Sequence, residues 1–272
     1  MRAVPLKRAA AAAALLVALL AAAPAAQAGR ACDAKPLAAV DVARAMDLAL
    51  ATARALDASG ATVAVLARAG QDLGRYGLRW SHLGFAYRVA EPLDGRPGTW
   101  RVAHKLNHCG SARADLYRQG LGEFFLDDPY EYRAAVVPLA PAVQAALAPV
   151  LADDARLAQL HTPAYSMVAY PWAQRYQQSN QWAIETLAMA REPAAGTRER
   201  AQAWLRLQGY EPTTLRLGPL TRLGARATAA NVAFDDHPDE RRFSDRIDTV
   251  TVDSVFAWLQ RSGLGGPERT VR

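Results

Sequence analysis

The chain has 272 residues, of which 51% are apolar and 21% charged, and its six Trp and nine Tyr predict a packed core. Its formal charge of +6 falls to +3 once Arg2, Lys7 and Arg8 are set aside with the leader described next. No Lys/Arg-rich block with interleaved aromatics occurs, which excludes a nucleic-acid-binding surface of the usual basic kind.

Residues 1–28 carry those three basic residues, then an Ala/Leu/Val run from Ala9 to Ala23, then Ala26-Gln27-Ala28. That order predicts a cleaved signal peptide and a periplasmic or secreted product. The apolar run is too short and alanine-rich to hold a membrane, so the membrane is expected to be met only through this export signal. Residues 29–272 then form one domain, with no internal repeat or low-complexity linker. From Leu37 to Asp57 apolar residues recur at helical spacing and Gly60 is a natural stop, which predicts a helix. Ala61–Arg68 reads as a buried strand, and Trp80–Val89 and Thr99–Leu106 as a hairpin around the breaker-dense 91–98. A polar stretch with Asp127-Asp128 reads as a solvated loop. A strand near Ala134–Leu139 and helices near Ala142–Ala148 and Asp153–Leu160 follow. Further on, helices are expected from Asn180, with Ser179 at its mouth, to about Ala190, from a Thr197 cap to Gly209, and over Ser254–Arg261, with a strand at Ile247–Val252.

Five histidines are present, and His82 and His104 face each other across the expected hairpin. Ideal pairing puts them on opposite faces unless a bulge shifts the register by one, in which case Asn107 takes the second place. Ser179 opens a helix, where the dipole and free N–H groups favour a developing negative charge. A strand histidine could serve as its base. Each residue also has a plainer reading: His82 as a core histidine, Asn180 as a cap, Trp182 as a core anchor. His104 and His108 are four apart, but the Thr99-Trp100-Val102 run favours extended chain over a zinc-binding helix. Asp235-Asp236-His237-Pro238 reads as a capped turn or an acid/base cluster. Cys32 and Cys109 are the two cysteines, and an oxidising compartment would let them pair. No cofactor or metal is expected.

The order Ser81-His82-Leu83-Gly84-Phe85-Ala86, Val102-Ala103-His104, then a polar cluster opening a helix resembles the circularly permuted papain-like proteins, including the NlpC-like hydrolases and the lecithin:retinol acyltransferase group. More specifically, Arg68-Ala69-Gly70-Gln71-Asp72-Leu73, Ala169-Tyr170-Pro171-Trp172, Tyr176-Gln177-Gln178-Ser179-Asn180-Gln181-Trp182 and Asp235-Asp236-His237-Pro238 resemble a bacterial secreted family known as domain of unknown function 2145. The resemblance implies an α+β fold of the permuted papain-like type, an antiparallel sheet with packed helices. It implies a cleft acting on, or holding, peptide or acyl groups of the cell envelope. In that arrangement Ser179 is the nucleophile, His82 the base, and His104 or Asn107 the orienting group. Asn180, Gln181, Tyr176 and Trp172 would line the cleft. Papain-like enzymes use cysteine here because a thiolate forms near neutral pH beside histidine. Serine in that place leaves two readings open, a serine-variant hydrolase or an inactive binding module of the same fold. Neither oligomeric state nor partner protein is legible.

Overall fold

Between Ala39 and Ala58 the residues Ala45, Leu48, Ala49, Thr52 and Leu56 recur at three and four and are buried, which makes this stretch the first helix, α1. The chain leaves it through Gly60, whose φ of 69° suits a residue without a Cβ. The structure is a computed structural model describing residues 37–89, 98–127 and 129–272. The leader 1–28, Cys32 and the hairpin loop 91–97 lie outside the described residues, as does Asp128.

After α1 come β1 (Val63–Ala69), β2 (His82–Arg88), β3 (Trp100–Asn107) and β4 (Ala114–Gly120). The short helix α2 (Leu121–Phe125), β5 (Glu131–Pro138), α3 (Pro141–Ala152) and α4 (Asp154–Ala158) follow. Next are α5 (Ser179–Arg191), α6 (Arg198–Leu207), β6 (Thr213–Arg216) and α7 (Pro219–Thr228). The chain ends with α8 (Asp239–Arg242), β7 (Arg246–Thr249), α9 (Val252–Arg261) and β8 (Arg269–Val271). The main sheet runs in the order β4-β3-β2-β1-β5-β8 with every pairing antiparallel, and β6 and β7 form a separate pair. Helices packed with an antiparallel sheet make this an α+β protein, as expected.

Side-chain alternation divides the sheet into two faces. Val63, Val65, Ala67, Leu83, Phe85, Tyr87, Ala103, Ala135 and Val137 pack with Trp182, Ile184 and Leu187 of α5 and with Val143 and Leu147 of α3. Ala64, Leu66, Ala86, Val102, Ala134 and Val136 pack with Leu48 and Leu56 of α1 and Phe124 and Phe125 of α2. The sheet is therefore a middle layer, with α1 and α2 on one side and α5 and α3 on the other.

The expected hairpin is present, with Phe85 opposite Ala103 and Ala86 opposite Val102. The polar stretch after Gly110 holds β4 and α2, which alternation did not flag because most of β4 is only partly buried. The strand expected to reach Val252 stops at Thr249, since Thr251 forms a capping box with Ser254 and starts α9 early. β6, α7 and β8 were not expected. Among the described residues, no helix is long and apolar enough to cross a membrane.

Candidate functional site

His82 starts β2 and His104 lies in β3, and the observed register puts both on the α2 face without the bulge the sequence seemed to need. Gly84 sits between them. A Cβ there would meet His104 Cβ and Val102 Cγ1 at 2.8 Å, so the missing side chain lets the two strands carry both rings. His82 Nε2 and His104 Nδ1 are 2.9 Å apart, and His104 Nε2 lies 2.8 Å from Gln119 Oε1. Gln119 in turn donates to Glu123 Oε1 at 3.0 Å. Arg68 lies 4.7 Å over the Phe124 ring, donates to the Phe124 carbonyl and pairs with Asp127. Asp127 is therefore an anchor for a buried arginine and not the solvated loop residue its sequence context suggested.

Burial first, and then the neighbouring Arg68 charge, hold both imidazoles in their neutral form. His82 titrates well below the usual histidine range and His104 is pushed down to about 3. Since Nε2 of His104 faces a carbonyl oxygen, that nitrogen carries the proton, and Nδ1 accepts from His82 Nε2–H. This is a chain of neutral donors running from β2 to α2.

Ser179 is elsewhere. It opens α5, which packs on the opposite sheet face, and its side chain is buried there. Asn180 bridges the layers by accepting from Leu83 N at 3.2 Å and donating to Val250 O at 3.2 Å. The catalytic set expected from sequence is thus divided by the sheet. His82 and His104 come together, whereas Ser179 opens the helix that packs on the other face. Asn107 does not orient either ring; its amide donates to the His108 carbonyl at 3.3 Å.

The polar group that does face α5 was not singled out from sequence. Lys105 follows His104 on β3 and therefore points the other way, where it is fully buried. Its ammonium donates to Thr162 O at 2.6 Å and Gln177 Oε1 at 2.9 Å. Gln177 donates to Glu185 Oε2 at 2.5 Å, and Gln202 donates to Glu185 Oε1 at 2.7 Å. Arg198 closes the network with Nε 2.8 Å and Nη2 3.2 Å from the two Glu185 oxygens. It also donates to the carbonyls of Ala173, Gln174 and Tyr176. Burial and the Arg198 charge push Lys105 down to about 7, against the attraction of Glu185 and Asp115. The only local sequence signal was a lysine on the strand's core-facing parity.

The expected cleft residues are mostly committed to packing. Gln181 donates to Pro171 O at 3.1 Å, which leaves its amide turned away from any oxyanion. Trp172 and Tyr176 are half-buried, with Arg206 4.4 Å over the first ring and Arg175 5.3 Å over the second. A surface cavity of about 420 Å³ lies at another place, walled by Trp80, Tyr130, Arg133, Asp253 and Glu268, and none of the expected site residues lines it.

His237 is a clamp: Nδ1 is 3.0 Å from Asp236 Oδ1 and Nε2 is 3.0 Å from the Asp248 carbonyl, while Asp236 accepts from Tyr170 N at 2.8 Å. His108 pairs with Asp115 at 2.8 Å on an exposed strand end, away from His104. Among the described residues no group of three or more His, Cys, Asp or Glu is arranged to hold a metal. Cys109 is not a free thiol, and its expected partner Cys32 lies outside the described residues.

No curated protein and no solved structure matches the chain. A family model described as an uncharacterized protein conserved in bacteria, DUF2145, matches residues 55–259. That span covers well over half of the chain, from the end of α1 to α9, and the chain therefore belongs to the DUF2145 family.

Proposed function

We propose that this chain is an exported protein of permuted papain-like, NlpC-like ancestry that binds peptide or acyl groups of the cell envelope without cleaving them. The leader-like residues 1–28 support export. An antiparallel sheet with a helix starting at Ser179 on one face supports the ancestry. The single observation that carries the non-catalytic reading is the packing of α5, which opens at Ser179, on the sheet face opposite the one that holds both candidate histidines. A serine nucleophile needs a base within hydrogen-bond reach, and both imidazoles are turned to the α2 face, where they bond to each other and to Gln119. Trp172 and Tyr176, each with an arginine over its ring, offer an aromatic and cationic wall suited to a carboxylate-bearing peptide.

Titration calorimetry with peptidoglycan stem-peptide fragments tests this. Binding without turnover is expected, weakened in Trp172→Ala, together with no labelling by a fluorophosphonate probe. Turnover of a peptide or ester that disappears in Ser179→Ala overturns the reading.

A second reading, a serine-variant hydrolase, is favoured by one observation: Lys105 faces α5, titrates near 7, and is bonded to Gln177, two residues before Ser179. Its base would be Lys105 and not His82. Fluorophosphonate labelling lost in both Ser179→Ala and Lys105→Met would mark it.

A further inference from the structure

Helix α7 is built the wrong way round for a helix that serves only its own core. Its one buried residue is Arg222, while Leu220 is 84% and Leu223 67% exposed. Leu220, Leu223, Gly224 and Ala227 follow one another at the spacing of a single helix face, so the apolar stripe looks outward. Arg222 holds α7 in this attitude: Nε donates to Leu217 O at 2.9 Å, Nη1 to Arg242 O at 2.7 Å, and Nη2 to Arg246 O at 3.0 Å. The same clamp brings up the end of α8, where Phe243 is 78% exposed. Three large apolar side chains are thus exposed on α7 and at the end of α8.

The stretch that carries the two leucines has charge of one sign. From Pro212 to Phe234 the chain contains Arg216, Arg222 and Arg226 and no Asp or Glu. Arg216, Arg226 and Arg242 are exposed, and among the described residues none has a carboxylate partner within ion-pair distance. Arg242 lies 5.4 Å over the Phe243 ring. The carboxylates nearby are Asp239 and Glu240 on the first turn of α8, Asp245, which pairs with Arg246 at 3.9 Å, and Asp248, which pairs with Arg241 at 3.0 Å.

We propose that Leu220, Leu223 and Phe243, together with Arg216, Arg226 and Arg242 of the same part of the chain, dock this protein on an anionic phospholipid surface. The apolar side chains enter the headgroup boundary and the guanidinium groups meet lipid phosphates. Exposed leucine and phenylalanine beside unpaired arginine suit that surface, since burial of apolar area and attraction to anionic lipid act together there. An apolar protein partner would use the leucines and leave the arginines without counter-charge. A second copy of the chain would set like charges against each other.

The test is hydrogen–deuterium exchange of the full chain with phosphatidylglycerol vesicles, phosphatidylcholine vesicles, and no lipid. Because the readout is regional, attachment through any other segment does not enter it. Peptides spanning 215–228 and 240–246 are expected to exchange more slowly only on phosphatidylglycerol, and the effect should vanish at 0.5 M salt, where screening is strong. Replacing Arg216, Arg226 and Arg242 by Gln should raise the lipid concentration for half-maximal protection about 100-fold. A Leu220→Ser, Leu223→Ser, Phe243→Ser variant should lose the protection with its circular dichroism spectrum unchanged. Equal exchange on both lipids overturns the proposal. So does protection without lipid that grows with protein concentration, which would assign the face to a second copy.

Discussion

Replacing Glu185 by glutamine removes the one negative charge in a buried network that holds two cations. Glu185 is fully buried and takes two bonds from Arg198, one from Gln177 and one from Gln202. In the variant the new amide presents N–H groups to donors, while Arg198, 8% exposed, keeps its charge with only carbonyls and the Thr162 hydroxyl around it. Removing one member of a buried pair costs about 3–5 kcal/mol, because the remaining charge is left desolvated and uncompensated. At a urea slope of about 2–3 kcal/mol/M this lowers the unfolding midpoint by about 1.5 M. Tryptophan fluorescence reads the transition directly, since Trp182 lies one turn before Glu185 on α5. The double variant Glu185→Leu, Arg198→Met should be more stable than Glu185→Gln, because it leaves no orphan charge. A midpoint shift under about 0.3 M at unchanged slope would refute the argument, because it would mean that water reaches the network and the pair is worth no more than an exposed one.

Gly84→Ala should destabilise by about 1–3 kcal/mol, since the added methyl meets His104 Cβ and Val102 Cγ1 at 2.8 Å and the Ala103 carbonyl at 2.9 Å; thermal melting measures it. Acid should weaken the fold through histidines that stay neutral when folded. The unfolded chain protonates them near 6.5 but the folded one only near 3 for His104 and near 4 for His161, so their contribution is whole above about pH 6.5 and drains away towards pH 3–4. Melting temperatures of wild type and His104→Gln should converge as pH falls through that window, and parallel curves would count against it. Lys105 acts at the other end, because folding lowers it from the usual 10.5 to about 7. Stability should therefore rise between pH 7 and 10.5 in wild type and stay flatter in Lys105→Met. Ser179→Ala should cost only about 1 kcal/mol, the worth of one buried hydroxyl, and change no ligand affinity.

Local patterns carried a good part of the fold. The helical spacing of apolar residues before Gly60, the breaker-dense loop between two strands, and the Thr197 cap, which accepts from Arg200 N at 3.3 Å, are short-range physics and were legible, but not the face of α1 that is buried: the apolar set Val40, Met46 and Leu50 is exposed, and Ala45, Leu48, Ala49, Thr52 and Leu56 face the sheet. β4 was not, because as the outer strand beside β3 it leaves Asp115, Tyr117 and Gln119 partly in water and shows no apolar run. Nor was α7, whose apolar stripe faces solvent and so lacks the inward moment that marks a helix of the core.

For the candidate site the division is sharper. From the residues alone one could learn that His82 and His104 lie on neighbouring strands and that Ser179 starts a helix. Family membership was legible too, through the Tyr-Gln-x-x-Asn-Gln-Trp run and its companions. Which sheet face α5 covers is a different kind of fact. It follows from the burial of Trp182, Ile184 and Leu187 against the odd-numbered side of β1 and β2, and a one-residue change of parity separates His104 from Lys105 by the thickness of the sheet. Only the packed tertiary structure decides that, because both faces of this sheet are apolar and the sequence offers α5 an equally good surface on either side.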